Sequence, residues 1–472
     1  MTLKGTGMAI RTTLASSLLT LSLTAAGSAW SADLVEVFRQ AQDNDPILRA
    51  ARASFLANRE VKTQSRAALL PQVSGLASYG RSEDETTTAV VSGSYTNAAT
   101  ETESNSWGAT LNQALFNLPA WYRFQRGAAL SEAAQAQFIA AQQSMMVRVA
   151  EDYFNALRAA DNLDTRRAEQ RAIARQLEQT QERYNVGLIA ITDVHEAQAA
   201  FDDARVNTLE AESALIIAFE QFEVLTGNRF EQLAGLDSNF AVSAPTESAE
   251  AWVSYALANN PQLRSAALAR DAARSGAKAG RAAHLPTVSM TLSYNDGDSD
   301  RDYQQVNLVD EALLSAIDSR LDNETTTLAV SVSMPLFTSG LVSSQRRQSV
   351  QEAVRSSEEY TLAKRNTVKN ARSSYQLVTT NSARVSARRQ AVVSAQSALD
   401  ATQAGYEVGT RNIVDVLLAQ RTLFQAQRNY ANARYDYILS NLRLKQVAGQ
   451  LSPEDIYQLN DALSTENLVT SS

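Results

Sequence analysis

The sequence predicts a mainly α-helical chain with a small β part, built from two copies of one unit. Three observations lead to this prediction: long Ala-, Gln-, Arg-, Glu- and Leu-rich stretches, an internal repeat, and short segments in which apolar residues alternate with small polar ones. Only 8 prolines and 18 glycines occur among 472 residues, so few residues interrupt the helical stretches. Helices much longer than the usual three turns are therefore expected.

The repeat is a tandem duplication. Residues 41–79 match residues 256–294 without a gap, anchored by Arg66–Pro71 (RAALLP) and Arg281–Pro286 (RAAHLP). Because self-similarity at a fixed offset marks repeated structural units, we expect both copies to share one plan. The predicted organisation is a signal peptide (residues 1–32), a first repeat (33–248), a second repeat (249–450) and a polar C-terminal tail (451–472) to which no role is assigned.

The N-terminus has the pattern of a secretory signal peptide. Lys4 and Arg11 precede an apolar stretch from Leu14 to Ala26, and small residues follow as far as Ala32. The sequence leaves the cleaved bond open between a cut after Ala29 and a cut after Ala32. No cysteine occurs, so there is no acceptor for an N-terminal lipid and no disulfide framework.

Composition argues against several classes of function. The formal net charge is -8, and loss of the two positive charges of the leader makes the mature chain about -10. Binding to nucleic acid is not expected from that balance. The two histidines, His195 and His284, lie far apart, and no phosphate loop, nucleophile elbow or metal-ligand spacing is present. We therefore expect no enzyme activity, no cofactor and no metal.

Each copy is predicted to contain three helices. The middle one has about 65 residues, or ~98 Å, and ends at a Val-Gly turn, Gly187 or Gly409. The two shorter helices laid end to end equal the long one, which suggests a cylinder. The predicted helices are Leu34–Leu69, Pro119–Tyr184 and Thr192–Leu225 in the first copy, and Ala249–Leu285, Gly340–Tyr406 and Ile413–Val447 in the second.

Seven-residue spacing of apolar residues predicts coiled-coil seams between these helices. Ordinary amphipathic packing in a core is the alternative, because short runs of this spacing occur there too. The helix length favours the seams. The repeating positions are Val378, Val385, Val392, Leu399 and Tyr406 in the second copy and Ile139, Met146 and Tyr153 in the first.

Two strands are predicted in each copy, with one apolar face and one small polar face. The alternation is clear in residues 288–294 and 328–334 and weaker in residues 73–79 and 107–111. Long polar loops, Arg81–Ser104 and Asn295–Thr325, are predicted to join the strands of each pair.

The strands are also the candidates for crossing a membrane. No apolar run after the leader reaches ~18 residues, whereas strands of about ten residues fit a tilted crossing. Four strands cannot close a barrel, since the smallest have about eight, so two copies would give eight strands and three would give twelve. The alternative is a soluble helical protein with a sheet at one end.

These features resemble TolC-like outer membrane efflux proteins across essentially the whole mature chain. The motifs are the RAA-x-LP anchors, Leu115-Phe116, Pro335-Leu336-Phe337, the two Tyr-x-Val-Gly turns, and residues 405–417 as the most specific stretch. The resemblance implies a homotrimer with a 12-stranded transmembrane β-barrel in outer-membrane lipid and an α-barrel tunnel across the periplasm. It also implies a periplasmic adaptor protein and an inner-membrane transporter as partners, in efflux or type I secretion by a Gram-negative cell.

The resemblance further implies a closed entrance at the Val-Gly turns. Mapped by motif, Tyr406 and Arg411 of the second copy meet Thr192 and Asp193 of the first, because turn contacts hold the family's entrance shut. An Arg–carboxylate pair suits a separable latch, since exposed pairs contribute under about 1 kcal/mol.

An acidic ring at the entrance is the second implied feature. Asp415 corresponds to a lumen-facing aspartate of the family. This chain departs from the family pattern one turn later, where Leu418 replaces a second aspartate, and the first copy offers Glu196 at the equivalent position. One ring or two thus remain open, and helix capping is the alternative for Asp193 and Asp415.

The main rival class is a periplasmic coiled-coil adaptor or tethering protein. It would also be secreted, helical and acidic, but it predicts no amphipathic strands and no duplication of the whole unit. A secreted enzyme with helical decoration is disfavoured because no catalytic site is present.

Overall fold

A computed structural model describes residues 32–90, 94–237 and 240–471. The predicted signal peptide lies outside these residues except for Ala32. The elements in chain order are α1 Leu34–Asn44, α2 Pro46–Ala67, β1 Gln72–Val90, β2 Ser94–Phe116, α3 Leu118–Asn185, α4 Ile191–Thr226, β3 Gln232–Leu236, α5 Ala249–Asn259, α6 Pro261–Ala282, β4 Thr287–Asn307, β5 Leu313–Ser333, α7 Leu341–Glu407, α8 Ile413–Val447, α9 Pro453–Asn460 and β6 Leu463–Thr470.

The long helices dominate the molecule. Helices α3 and α7 have 68 and 67 residues, about 100 Å each at 1.5 Å per residue. Helices α4 and α8, with 36 and 35 residues, return along them. The bounds of these four helices agree with the predicted ones to within one residue. No helix among the described residues is both long and apolar enough to cross a membrane.

The first predicted helix of each copy is wrong, because it is two helices. The breaks fall at Asp45-Pro46 and Asn260-Pro261, since a residue before proline is disfavoured in the α conformation. Proline then starts the next helix at a position whose N–H needs no helical partner. Asp45 caps α2 by accepting hydrogen bonds from the backbone N–H groups of Ile47 (3.0 Å) and Leu48 (3.3 Å).

Four strands form one antiparallel sheet in the order β1-β2-β4-β5. They are 19 to 23 residues long, so the predicted loops, residues 81–104 and 295–325, are wrong: most of these residues belong to strands. In these outer parts of the strands, apolar and polar residues do not alternate, because both faces of the sheet are polar. One row across all four strands consists of Glu83, Glu101, Asp302 and Asp318.

A compact core holds the middle of the long helices. The tail forms α9 and β6, and β6 pairs with β3. Ala32 pairs with Leu233 on the other side of β3. The fully buried Tyr153 of α3 donates its hydroxyl to the backbone oxygen of Ala234 at 2.7 Å. The C-terminal tail is thus part of the core, and we call α1, α9, β3 and β6 the waist unit.

The heptad positions fall largely in the interior. Val378, Val385 and Tyr406 are buried in the second copy, as are Met146 and Tyr153 in the first. Val392 and Leu399 are half-buried and pack against a small cluster around Leu423. Ile139 is 38% exposed in the single chain, so the predicted seam weakens toward the start of α3.

A partly buried acid next to this core gives a prediction about pH. Burial, and then the neighbouring Glu151, raise the pKa of Asp152 from 3.8 to about 6. The folded state holds this proton more tightly than the unfolded state, so stability is lost as pH rises from about 4 to 6. We expect Asp152→Asn to raise the free energy of unfolding at pH 7.5 by about 1 kcal/mol, a value discounted for partial exposure.

Urea unfolding at pH 4 and pH 7.5 would measure this gain. The gain should shrink at pH 4, where the carboxyl of Asp152 is protonated in the folded protein. Glu178→Gln, an exposed change on the same helix, is the control and should move neither value. Equal gains for Asp152→Asn at both pH values would contradict the assignment.

Candidate functional site

Two turns of the same design lie at the end of the long helices farthest from the sheet. Gly187 and Gly409 have φ of +79° and +81°, a conformation that glycine adopts without strain. The N–H of Leu188 donates to the carbonyl of Arg183 (2.9 Å), and that of Thr410 donates to the carbonyl of Gly405 (2.9 Å). Both helices therefore end in a Schellman-type cap. We call residues 186–190 and 408–412 the mouth turns.

Tyr406, at the end of α7 just before the second mouth turn, packs against the start of α8. It is 5% exposed and forms a small apolar cluster with Ile413 and Val416 of α8. The guanidinium group of Arg183, on α3, lies 4.7 Å from the centre of the Tyr406 ring. This cation–π contact links the two copies within one chain. The Tyr406 hydroxyl is buried and has no hydrogen-bond partner among the residues described.

Arg411 and Asp415 are close to each other in the same chain. Arg411 Nη1 lies 3.8 Å from Asp415 Oδ2, and both side chains are substantially exposed. Asp415 also completes a capping box: its backbone N–H donates to Asn412 Oδ1 (2.8 Å), and its carboxylate accepts from the Asn412 N–H (3.4 Å). The capping interpretation of Asp415 is therefore confirmed, and the carboxylate stays partly open to solvent.

The first-copy residues form a separate group. Thr192 donates its hydroxyl to Asp193 Oδ1 at 3.5 Å, and both lie in the first turn of α4. Glu196 is exposed one turn later. Within the described part of a single chain, no hydrogen bond or ion pair joins Tyr406 or Arg411 to Thr192 or Asp193. The predicted four-residue contact is not made inside one chain.

Near the mouth turns, two contacts between the copies were not predicted from the sequence. One is the stacking of Arg183 on Tyr406. The other is an ion pair between Arg421 of α8 and Asp203 of α4, with 3.6 Å between Nη2 and Oδ2. Both join residues more than 200 positions apart, so local patterns carried no signal for them. Together they tie the α7–α8 hairpin to the α3–α4 hairpin near the mouth.

Comparison with known proteins identifies the group to which this architecture belongs. The model of the family described as outer membrane efflux protein matches residues 37–228 and 252–450. The chain belongs to the outer membrane efflux protein family. It is 37% identical over 441 residues to outer membrane protein TolC of Vibrio cholerae, covering 93% of this chain and 96% of that protein. It is 29% identical to the alkaline protease secretion protein AprF of Pseudomonas aeruginosa, covering 91% and 86%.

Solved structures agree in fold. The outer membrane protein VceC of Vibrio cholerae has a TM-score of 0.70 at 18% identity, covering 88% of this chain and 96% of that one. The CmeC outer membrane channel of Campylobacter jejuni has a TM-score of 0.71 at 16% identity, covering 92% and 90%. The predicted family, the outer-membrane location and the channel function in efflux or type I secretion are confirmed. The family consists of transport channels and not enzymes.

Proposed function

We propose that this chain assembles as a homotrimer that forms one continuous channel, with a 12-stranded barrel in the outer membrane and an α-helical tunnel across the periplasm. A periplasmic adaptor and an inner-membrane transporter would deliver the substrate to its mouth. The observation that carries the proposal is that the sheet and the helical layer end at matching edges. The tandem duplication, with repeats at residues 33–248 and 249–450, supplies two similar halves to each third of the ring.

The matching edges support a closed ring of copies. Strands β1 and β5 are the edges of the sheet and present unpaired backbone groups along about twenty residues. An exposed apolar stripe runs along α4, which belongs to the same copy as β1, and further exposed apolar residues lie along α7, which follows β5. A head-to-tail interface that joins one edge to the other closes as a ring. The exposed residues are Val206, Leu209, Ile216, Ile217 and Val224 on α4, and Val354, Leu362, Leu377 and Val393 on α7.

The sheet has a face suited to lipid. Leu111, Leu292 and Leu328 form one row across three strands, and the last two are exposed in the chain. On the same face, the rings of Trp107 and Tyr294 lie 5.4 Å apart just before the acidic part of the strands. Aromatic residues at the edge of an apolar band are typical of outer-membrane strands.

The mouth turns support an entrance that can close. We propose that Thr192 and Asp193 of one chain meet Tyr406 and Arg411 of its neighbour. The Arg411 side chain, 61% exposed in the single chain, is accessible to a partner from another chain. Exposed latch pairs are individually weak, which suits contacts that a docking partner must release.

An acidic ring completes the proposed entrance. Asp415, which keeps one face open beside its capping bonds, would supply one carboxylate per chain, and Glu196 would supply a second at a different level. The second copy supplies no carboxylate at that second level, because Leu418 stands at the position equivalent to Glu196. The substrate class would be set largely by the transporter, and relatives named for efflux and for protease secretion support both uses.

Assembly can be tested with a charged substitution in the α4 stripe. We expect the wild-type protein to need detergent for extraction, to have the mass of three chains by native mass spectrometry, and to conduct in planar bilayers. Ile216→Glu should yield monomers, because burying an unpaired carboxylate at an interface is costly. Asn207→Asp adds the same charge on α4 about 100° around the helix from Val206, outside the stripe, and should remain trimeric. A wild-type protein that stays soluble and monomeric without detergent would refute the proposal.

A further inference from the structure

A groove runs between α3, α7 and α8. It is lined mainly by arginine and amide side chains, whereas apolar side chains form the core between these helices. One part of the groove has a volume of about 440 Å³ and is lined by three guanidinium groups, those of Arg158, Arg166 and Arg428, together with five amide side chains. No carboxylate is among its lining residues. A second cavity of about 270 Å³ continues from Arg158 and adds Arg384 and Arg443, together with the carboxylates of Glu151 and Asp436. We call Arg158, Arg166 and Arg428 the arginine groove.

Carboxylates behind the groove hold the arginines in place without neutralising all of them. Glu169, 4% exposed, accepts hydrogen bonds from Arg428 Nη1 (2.8 Å) and Arg166 Nη1 (3.1 Å). Asp436 accepts from Arg158 Nη2 at 2.8 Å and lies 3.8 Å from Arg384. Two carboxylates thus serve four arginines.

Several N–H groups of the arginine groove have no hydrogen-bond acceptor among the described residues. The Nε atom of Arg158 is buried and has no partner among the described residues. Each guanidinium has five N–H donors, and one or two of them are used here. A fixed excess of positive charge with free, partly desolvated donors is the arrangement that binds oxyanions.

Helix geometry places the groove on the inner side of the proposed tunnel. The waist unit packs on the Tyr153 face of α3, where the Tyr153 hydroxyl bonds to Ala234. At 100° per residue, Asn155, Arg158 and Asn162 lie about 140° to 200° around α3 from Tyr153. We place the waist unit outside the wall of the proposed tunnel, and the opposite face of α3 then lines the lumen.

We propose that the arginine groove is a binding site, one in each chain, for oxyanion groups such as carboxylates or sulfonates of molecules passing through the tunnel. This inference rests on the proposed channel function. The site lies at the level of the waist unit, far from the acidic entrance at Asp415. An anionic group that has passed the mouth would therefore meet a region of opposite charge, which favours its residence in the tunnel.

Block of ion current tests the site. Pyrenetetrasulfonate, added to one side of a planar bilayer containing the full-length trimer, should reduce the current of the wild-type channel. We expect Arg158→Gln to raise the half-blocking concentration about tenfold, since it removes charge-assisted donors. The matched control is Arg167→Gln, the same change on the other side of α3, where Arg167 pairs with Glu212 of α4 at 3.0 Å. The control should be blocked like the wild type.

A second variant guards against loss of the fold. Replacing Arg428 alone would leave the buried Glu169 without its main partner, so Arg428→Gln is combined with Glu169→Gln, which keeps the local charge balanced. Weaker block is expected here too. A neutral molecule of similar size should not block at the concentrations that are effective for the tetrasulfonate.

The outcomes separate the site from the channel. If the wild-type protein shows no conductance, the proposed channel function fails. If it conducts but wild type and Arg158→Gln are blocked equally, the arginine groove is not the anion site. Block by inorganic phosphate without block by the organic sulfonate would overturn the assignment to transported molecules, because free phosphate would then be the ligand.

Discussion

Replacing Asp45 by alanine is expected to lower the free energy of unfolding by about 3 kcal/mol or more, because one side chain fills two roles in a buried place. Asp45 is 1% exposed. It caps α2 through the N–H groups of Ile47 and Leu48, and its other interaction is an ion pair with Arg148 of α3. Alanine would leave two backbone donors and a partly buried guanidinium unpaired.

The second copy supplies the matched control for this prediction. Asn260 stands at the equivalent break, caps α6 through the N–H of Leu263 (2.9 Å), and donates its side-chain amide to the backbone oxygen of Val447 (2.9 Å), but it has no charge to pair. Asn260→Ala should cost about 2 kcal/mol, the effect of losing a cap and one neutral hydrogen bond. Asp45→Asn should fall between the two. Urea unfolding followed by circular dichroism measures all three, and equal losses for Asp45→Ala and Asn260→Ala would contradict a role for the ion pair.

The long helices were predictable because their ends are marked locally. A Tyr-x-Val-Gly motif terminates α3 and α7, and few helix breakers lie between. The same holds for the capping box of Asn412 and Asp415, whose spacing of three residues is visible in the sequence. Features fixed within one turn of helix leave a signal that pattern reasoning can find.

Features fixed by distant partners were not predictable. The outer halves of β1 and β2 have no period-two signal because neither face is apolar, and their pairing partners alone keep them extended. Strand β6 depends on β3, more than 200 residues earlier. The arginine groove combines α3 with α8 in the same way. Only the alignment of the two helices brings Glu169 to Arg428.

The breaks at Pro46 and Pro261 had a signal in the sequence, the proline itself. The proline rule was applied only at the end of the first predicted helix of each copy. Proline was used to end the first helix of each copy at Pro71 and Pro286, yet Pro46 and Pro261 obey the same rule. Their predecessors, Asp45 and Asn260, are strong capping residues. The rule was sufficient to predict four helices where two were expected.

The largest functional effect is expected from truncating Tyr406. Tyr406→Ala removes a buried ring from the cluster with Ile413 and Val416 and ends the contact with Arg183, a combined loss of about 3 kcal/mol. The cluster lies within the α7–α8 hairpin, and only the contact with Arg183, about 1 to 2 kcal/mol, joins this hairpin to the α3–α4 hairpin, so the population of open mouths should rise about tenfold. Single-channel recording should then show a higher mean conductance.

Smaller substitutions at the mouth turns separate the contributions of the Tyr406 ring, its hydroxyl and Arg411 to mouth closure. Tyr406→Phe keeps the ring and the stacking on Arg183, so a rise in conductance would have to come from the hydroxyl and its partner on a neighbouring chain. Arg411→Ser removes an exposed guanidinium and should raise the open population by at most about fivefold. Tyr184→Phe is the control, since Tyr184 holds the equivalent position of the first copy and is 38% exposed. Unchanged conductance in Tyr406→Ala would show that the mouth is closed by other contacts, and Arg421 and Asp203 would be the next pair to separate.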